Sequence, residues 1–118
     1  MSTINVSVTV SLSGGFTYAG PGVGVDGSID VTEASSLVYT LQNAEQMVFM
    51  HPLLSVTSPS SSTPLDITNV VFTNGGKTMT LTDVDSHTET ICMQLQVQLS
   101  DGSVITSPDP KIRDTKPQ

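Results

Sequence analysis

The sequence predicts an all-β fold, an antiparallel β-sandwich of about seven or eight strands built by one domain over residues 1–118. Three observations carry that prediction. Two long segments alternate apolar and polar residues with a period of two. Turn-forming pairs recur at short intervals between apolar runs. No segment longer than a turn carries the apolar spacing of a helix.

The first strand is the clearest. Ile4, Val6, Val8, Val10 and Leu12 alternate with Asn5, Ser7, Thr9 and Ser11. Successive side chains of a strand point to opposite faces, so the segment has one apolar and one polar face; a helix would scatter the same residues around its circumference. The connector from Ser13 to Gly27 then holds six of the nine glycines. Its "AGPGVGVDG" lacks the following helix and the Lys-Ser/Thr pair of a phosphate cradle, so it reads as turns. "DGSIDVTE" puts Ile29 and Val31 on one face, and "SLVYTLQN" puts Leu37, Tyr39 and Leu41 on one side with Val38 opposite.

"NAEQM" is the only segment with the makings of a helical turn. "QMVFMHP" is a short apolar run that Pro52, lacking an N–H, is expected to end or to push to a sheet edge. "SVTSPSSSTPLD" reads as an exposed, mobile Ser/Thr/Pro loop. In "ITNVVFTNGGKTMTLTD", Val70 and Phe72 lead into Asn74-Gly75-Gly76, and Met79 and Leu81 return. Asn-Gly tolerates the positive φ angles of tight hairpins. The second long alternation sets Ile91, Met93, Leu95, Val97 and Leu99 against Cys92, Gln94, Gln96 and Gln98. "LSDGSVIT" then turns the chain again at Asp101-Gly102.

Composition narrows the functions. The net charge is −7, and Lys77, Lys111, Arg113 and Lys116 are the only Lys or Arg residues. That balance argues against nucleic acid, whose phosphates need a basic footprint, and against an anionic membrane surface. Aromatic residues make up 4% with no Trp, so small and β-branched side chains must fill the interior. A single cysteine, Cys92, excludes an internal disulfide and any multi-cysteine zinc site. It sits on the polar face of its strand, where low thiolate reactivity is expected. "MSTINVSVTV" has no basic segment followed by an apolar run, and no stretch approaches a membrane span. A cytoplasmic location is the expectation.

Two stretches carry chemistry. "TDVDSHTET" sets Asp83, Asp85, His87 and Glu89 at two-residue spacing, so an extended chain would project all four from one face. Like charges that close raise one another's pKa and can poise a carboxyl as acid or base. The plain alternative is a solvated turn between strands. The other stretch is the Asp109–Pro110 bond in "VITSPDPKIRDTKPQ". The Asp109 carboxyl sits one carbon from its own carbonyl, so its attack closes a five-membered anhydride. Proline makes the leaving nitrogen relatively basic, and its missing N–H closes the succinimide route through the main chain. Intramolecular placement can supply effective molarities on the order of 10⁵ M. A water activated by a second carboxylate is the other route. Cleavage would leave Met1–Asp109 and the nine-residue peptide Pro110–Gln118.

The strand "TINVSVTVSL", the later "MTLTDVDSHTET…QLQVQL" and the ending "SPDPKI" together resemble the DP-EP family of small bacterial proteins. The resemblance covers most of the chain, and "SPDP" is its distinctive part. It implies a β-sandwich, an aspartic type of endopeptidase, that hydrolyses its own C-terminal Asp-Pro bond with an aspartate activating water. The match sets the scissile bond at Asp109–Pro110, with Asp83 or Asp85 as candidates for the assisting carboxyl. The family pattern also suggests a lysine on the strand before the final hairpin, able to capture Asp as an isopeptide. Here "ETICMQLQVQL" contains none, so no such crosslink is expected.

Two other functions stay open. A non-enzymatic module could assemble with copies of itself through sandwich edges, or dock its tail in trans. A hard cation could be held through Asp83, Asp85 and Glu89, although no EF-hand spacing is present. Self-cleavage itself calls for no cofactor and no metal.

Overall fold

The two long alternations become the spines of two sheets. The structure, a computed structural model, describes residues 2–11, 15–42, 47–58, 60–61, 66–85, 88–108 and 111–114. Eleven strands follow in order among them: β1 (Ser2–Val10), β2 (Phe16–Ala19), β3 (Ile29–Val31), β4 (Ser35–Leu41), β5 (Met47–Ser58), β6 (Ser60–Ser61), β7 (Ile67–Thr73), β8 (Thr78–Asp83), β9 (Glu89–Leu99), β10 (Val104–Thr106) and β11 (Lys111–Asp114). The excess over the seven or eight expected comes from β2, β6 and β11, of four, two and four residues, in stretches read as the glycine-rich connector, the Ser/Thr/Pro loop and the tail. The candidate helical turn at 43–46 lies outside the described residues.

One sheet runs β2-β1-β4-β8-β7 and the other β3-β11-β9-β5-β6, with β10 also on β9. Most neighbours are antiparallel, but β1 pairs β4 in parallel and β11 pairs β3 in parallel. The reason is the route of the chain. After β2 it leaves the first sheet to lay β3 in the second, then returns as β4 in the same direction as β1; parallel neighbours require such a crossover.

The alternation decides the burial. Val6, Val8 and Val10 of β1, Leu37, Tyr39 and Leu41 of β4, and Met79 and Leu81 of β8 face Phe49, Ile91, Met93, Leu95, Val97 and Ile112 from the other sheet in one cluster. Burying each large aliphatic side chain contributes about 1.5–3 kcal/mol, and that is what fixes each strand's register. Tyr39 is an anomaly in this interior. It is fully buried, and its hydroxyl has no hydrogen-bond partner. Removing an orphaned hydroxyl removes a desolvation cost, so Tyr39→Phe should match or exceed the wild type by up to about 1 kcal/mol in urea unfolding. A clear loss of stability would show that the hydroxyl is satisfied.

Pro52 does not end its strand; of the two outcomes expected for it, the open edge is the one that fits. β5 passes through it with β9 on one side and a register shift between Met50 and Leu53, while β6 covers the other side only at Val56 and Thr57. A register shift toward β9 and, among the described residues, no strand paired on the other side leave no ladder position there that needs the missing N–H. Ser55–Ser58, expected in a loop, extend the same strand. The hairpin at Asn74-Gly75 forms as read, with φ of 54° and 66°. Gly20 is required by space: at φ +148° a Cβ would stand 2.3 Å from the Asn5 carbonyl oxygen. Among the described residues no helix is long and apolar enough to cross a membrane.

Candidate functional site

Two places on the second sheet's spine, β9, hold the chemistry. The first is its N-terminal end, where the chain crosses from β8. Here the expected solvated turn is absent: Asp66, Asp83, Asp85 and Glu89 are all buried. Asp66 precedes β7, Asp83 ends β8, Asp85 lies in the crossover and Glu89 starts β9. The register β7–β8 pairs Ile67 with Asp83, which brings Asp66 alongside. Asp85 adopts φ 50°, so the stretch is not extended and its acids reach one another around a bend rather than along one face. The Asp85 N–H donates to Asp83 Oδ1 at 2.8 Å, the Asp66 N–H to Glu89 Oε2 at 3.0 Å, and the Val84 N–H to the Asp66 carbonyl at 3.0 Å. One carboxylate oxygen from each of Asp66, Asp83 and Asp85 lies within 4.8 Å of the other two. His87 lies outside the described residues.

Burial first, then the neighbouring Asp83 and Asp66 carboxyls, push the Asp85 carboxyl above its usual 3.8. From about pH 3.8 up to that higher value, the native chain holds a proton the unfolded chain has released. Stability from this group is therefore complete at the acid end and is lost as pH rises through the window. Asp85→Asn has no proton to lose there. In chelator-treated protein, urea midpoints measured from pH 4 to 7 should fall less steeply for the variant than for wild type. Parallel curves would mean that Asp85 titrates normally.

The second place is where the tail meets β9. β10 pairs Gln96–Gln98 and β11 pairs Glu89–Cys92, so both lie along the same edge of one strand. Between them Ser107 is held by three bonds. Its N–H donates to the Leu95 carbonyl at 2.8 Å, its Oγ accepts the Leu95 N–H at 2.8 Å, and its carbonyl accepts Gln94 Nε2 at 3.3 Å. A side-chain oxygen thus takes the place of the ladder carbonyl. From Ser107 opposite Leu95 to Lys111 opposite Cys92 the tail spends four residue steps where β9 spends three. One residue is surplus, and it falls in the "SPDP" stretch. Asp109 and Pro110 lie outside the described residues.

In β11, Ile112 is fully buried, and the strand is flanked by β9 on one side and β3 on the other. The tail is an interior strand rather than an edge. Arg113 Nε donates to Asp30 Oδ1 at 2.9 Å, an exposed pair of small energetic value.

A protein-family model, that of the DP-EP family, matches residues 2–116. The chain belongs to the DP-EP family. The match spans nearly the whole DP-EP chain, including both places on β9, and it bears out the resemblance carried by the "SPDPKI" ending. No curated protein matches the chain.

Around Ser107 this DP-EP chain gathers side chains that sequence reading passed over. The half-buried Tyr18 stands near Ser107, with a hydroxyl that makes no hydrogen bond of good geometry; burial is the main cause of its raised pKa, and Asp26 adds to it. The Asp26 carboxylate is held below its usual range, first by the Ser28 N–H, which donates to Oδ1 at 3.0 Å, and also by Arg113. Asp101-Gly102-Ser103 makes the same turn, with the Ser103 N–H donating to Asp101 Oδ1 at 2.8 Å. Two identical tripeptides in identical turns give no local signal that one of them neighbours the tail. Asp66 was missed for a related reason, being 17 positions before Asp83 in a segment read as loop. Cys92 is half-buried on β9, as its alternation implied.

Proposed function

We propose that the protein is a self-cleaving β-sandwich of aspartic type that hydrolyses its own Asp109–Pro110 bond. One observation supports this above the others: both flanks of the bond are clamped to β9 while the segment between carries a surplus residue. A segment longer than the stretch of strand it faces cannot keep ladder register throughout, and a peptide outside a ladder is one whose carbonyl a side chain or water can reach. The two prolines contribute no N–H that could pull the segment back into register.

In the chemistry, an oxygen of the Asp109 carboxyl adds to its own main-chain carbonyl carbon. The C–N bond to Pro110 breaks, and the proline nitrogen leaves as a protonated secondary amine. Water then opens the anhydride to give the two carboxyls of a new C-terminal Asp109. One water is consumed in all.

For an assisting carboxyl, Asp26 joins Asp83 and Asp85 as a candidate. Asp109 is two residues from Ser107 and so within about 7.6 Å of its Cα. Tyr18 links Asp26 electrostatically to that same neighbourhood. Asp83 and Asp85 sit at the Glu89 end, three residues along β9 from the partner of Lys111 and six from that of Ser107, or roughly 10–20 Å from the points that flank Asp109. Intact-mass measurement during incubation at mildly acidic pH tests the proposal. Loss of the Pro110–Gln118 mass supports it, and slower loss in Asp26→Asn than in Asp83→Asn would identify the assisting group. A mass that never changes overturns it.

The second function, assembly of like chains, rests on β7. It is an outermost strand with Val71 and Phe72 exposed at 44% and 39%, the kind of edge that adds a strand from a neighbour. Light scattering decides it: a monomer at all concentrations removes this function.

A further inference from the structure

The acidic crossover lies away from the tail and has a role of its own. Asp66, Asp83 and Asp85 bring one oxygen each within 4.8 Å of the other two. An acidic cluster alone is no site, and the decisive group is Asp85. It is 2% exposed, and neither of its carboxylate oxygens has a hydrogen-bond partner. A buried carboxyl with no donor is strongly destabilising unless it is protonated or coordinated. Both oxygens belong to a side chain directed into the cluster, so what they lack is a positive charge placed between the three acids.

We propose that Asp66, Asp83 and Asp85 bind a hard divalent cation, with calcium the best fit. The donors are all carboxylate oxygens, a set that suits calcium, magnesium or manganese rather than zinc or copper. Spacing separates these. Two oxygens on one calcium ion, at 2.3–2.6 Å each, stand up to about 5 Å apart, whereas on magnesium they stand no more than about 4.2 Å apart. All three separations are 4.8 Å or less, inside the limit for the larger ion, which also tolerates irregular geometry where magnesium demands a near-ideal octahedron. Glu89 supports the arrangement from the other sheet, since its Oε2 accepts the Asp66 N–H and fixes the backbone that carries one ligand. Bound there, the ion ties the start of β7, the end of β8 and the crossover into β9 together, joining both sheets at one end. Water and main-chain carbonyls would complete its shell, as is usual for calcium.

The experiment uses the full chain, stripped with chelator, and calcium chloride as the ligand. Isothermal titration should show saturable binding, and Tm should rise on the order of 5–10 °C at 10 mM calcium. Magnesium should shift it less. Asp85→Asn should weaken binding at least tenfold, while Asp30→Asn, an exposed acid elsewhere on the surface, should leave it unchanged. If Asp85→Asn does not fold, terbium luminescence on the wild-type chain, displaced by calcium, supplies the readout instead. Absence of heat and of any Tm shift with calcium, magnesium and manganese up to 10 mM overturns the proposal. So does an Asp85→Asn protein that folds and responds like wild type.

Discussion

Asp109→Asn should keep its full mass under conditions where the wild-type chain sheds Pro110–Gln118. The substitution keeps size and shape but replaces an acidic oxygen nucleophile with an amide that carries no transferable carboxyl proton. Pro110 has no N–H, so the main chain offers no substitute route. With effective molarities on the order of 10⁵ M at stake, a rate lower by roughly 10³-fold or more is expected, read as the fraction of cut chain over days. Asp26→Asn should fall between the two, because a carboxylate that only positions or activates water contributes about 10²–10⁴-fold. Equal cutting in Asp109→Asn and wild type would mean that the break comes from outside the chain.

Ile112→Ala should be the most damaging single substitution in the tail. Ile112 has no exposed surface and pairs with Ile91 on one side and Ile29 on the other. Deleting a buried isoleucine to alanine costs about 2–5 kcal/mol, which for a domain this size lowers Tm by roughly 8–20 °C. A second effect distinguishes a tail built into the core from one resting on it. Once cut, the wild-type peptide should co-elute with the body on gel filtration, and the Ile112→Ala peptide should separate. A variant as stable as wild type would place β11 outside the interior.

What could be read in advance follows from where the information sits. β1 and β9 announce themselves because a half-buried strand writes its burial into every second residue, and Val6, Val8, Ile91 and Met93 are buried as that period requires. The hairpin at Asn74 was legible because positive φ demands particular residues. β11 was legible only in part: "KIRD" with Ile112 could be read as an edge strand, but four residues with one apolar side chain do not show that it lies between β3 and β9. Which of its two outcomes Pro52 would take was not legible, because a register shift is a relation between two strands and leaves no trace in one. The acidic site shows the same limit. The local spacing of Asp83, Asp85 and Glu89 marked a charged place, but burial reversed its meaning, and Asp66 arrives only through the pairing of β7 with β8.

The position of β11 between β3 and β9 has a consequence for reversibility. A chain severed at Asp109 would keep its outline and spectroscopic signature, since every contact of the inserted strand survives the nick. The change would surface only on denaturation. Recovery would then require two molecules to meet, so renaturation would become second order and would depend on dilution. A break that leaves the native form untouched would thus make the fold a single-use object: durable while assembled, and hard to regain once opened.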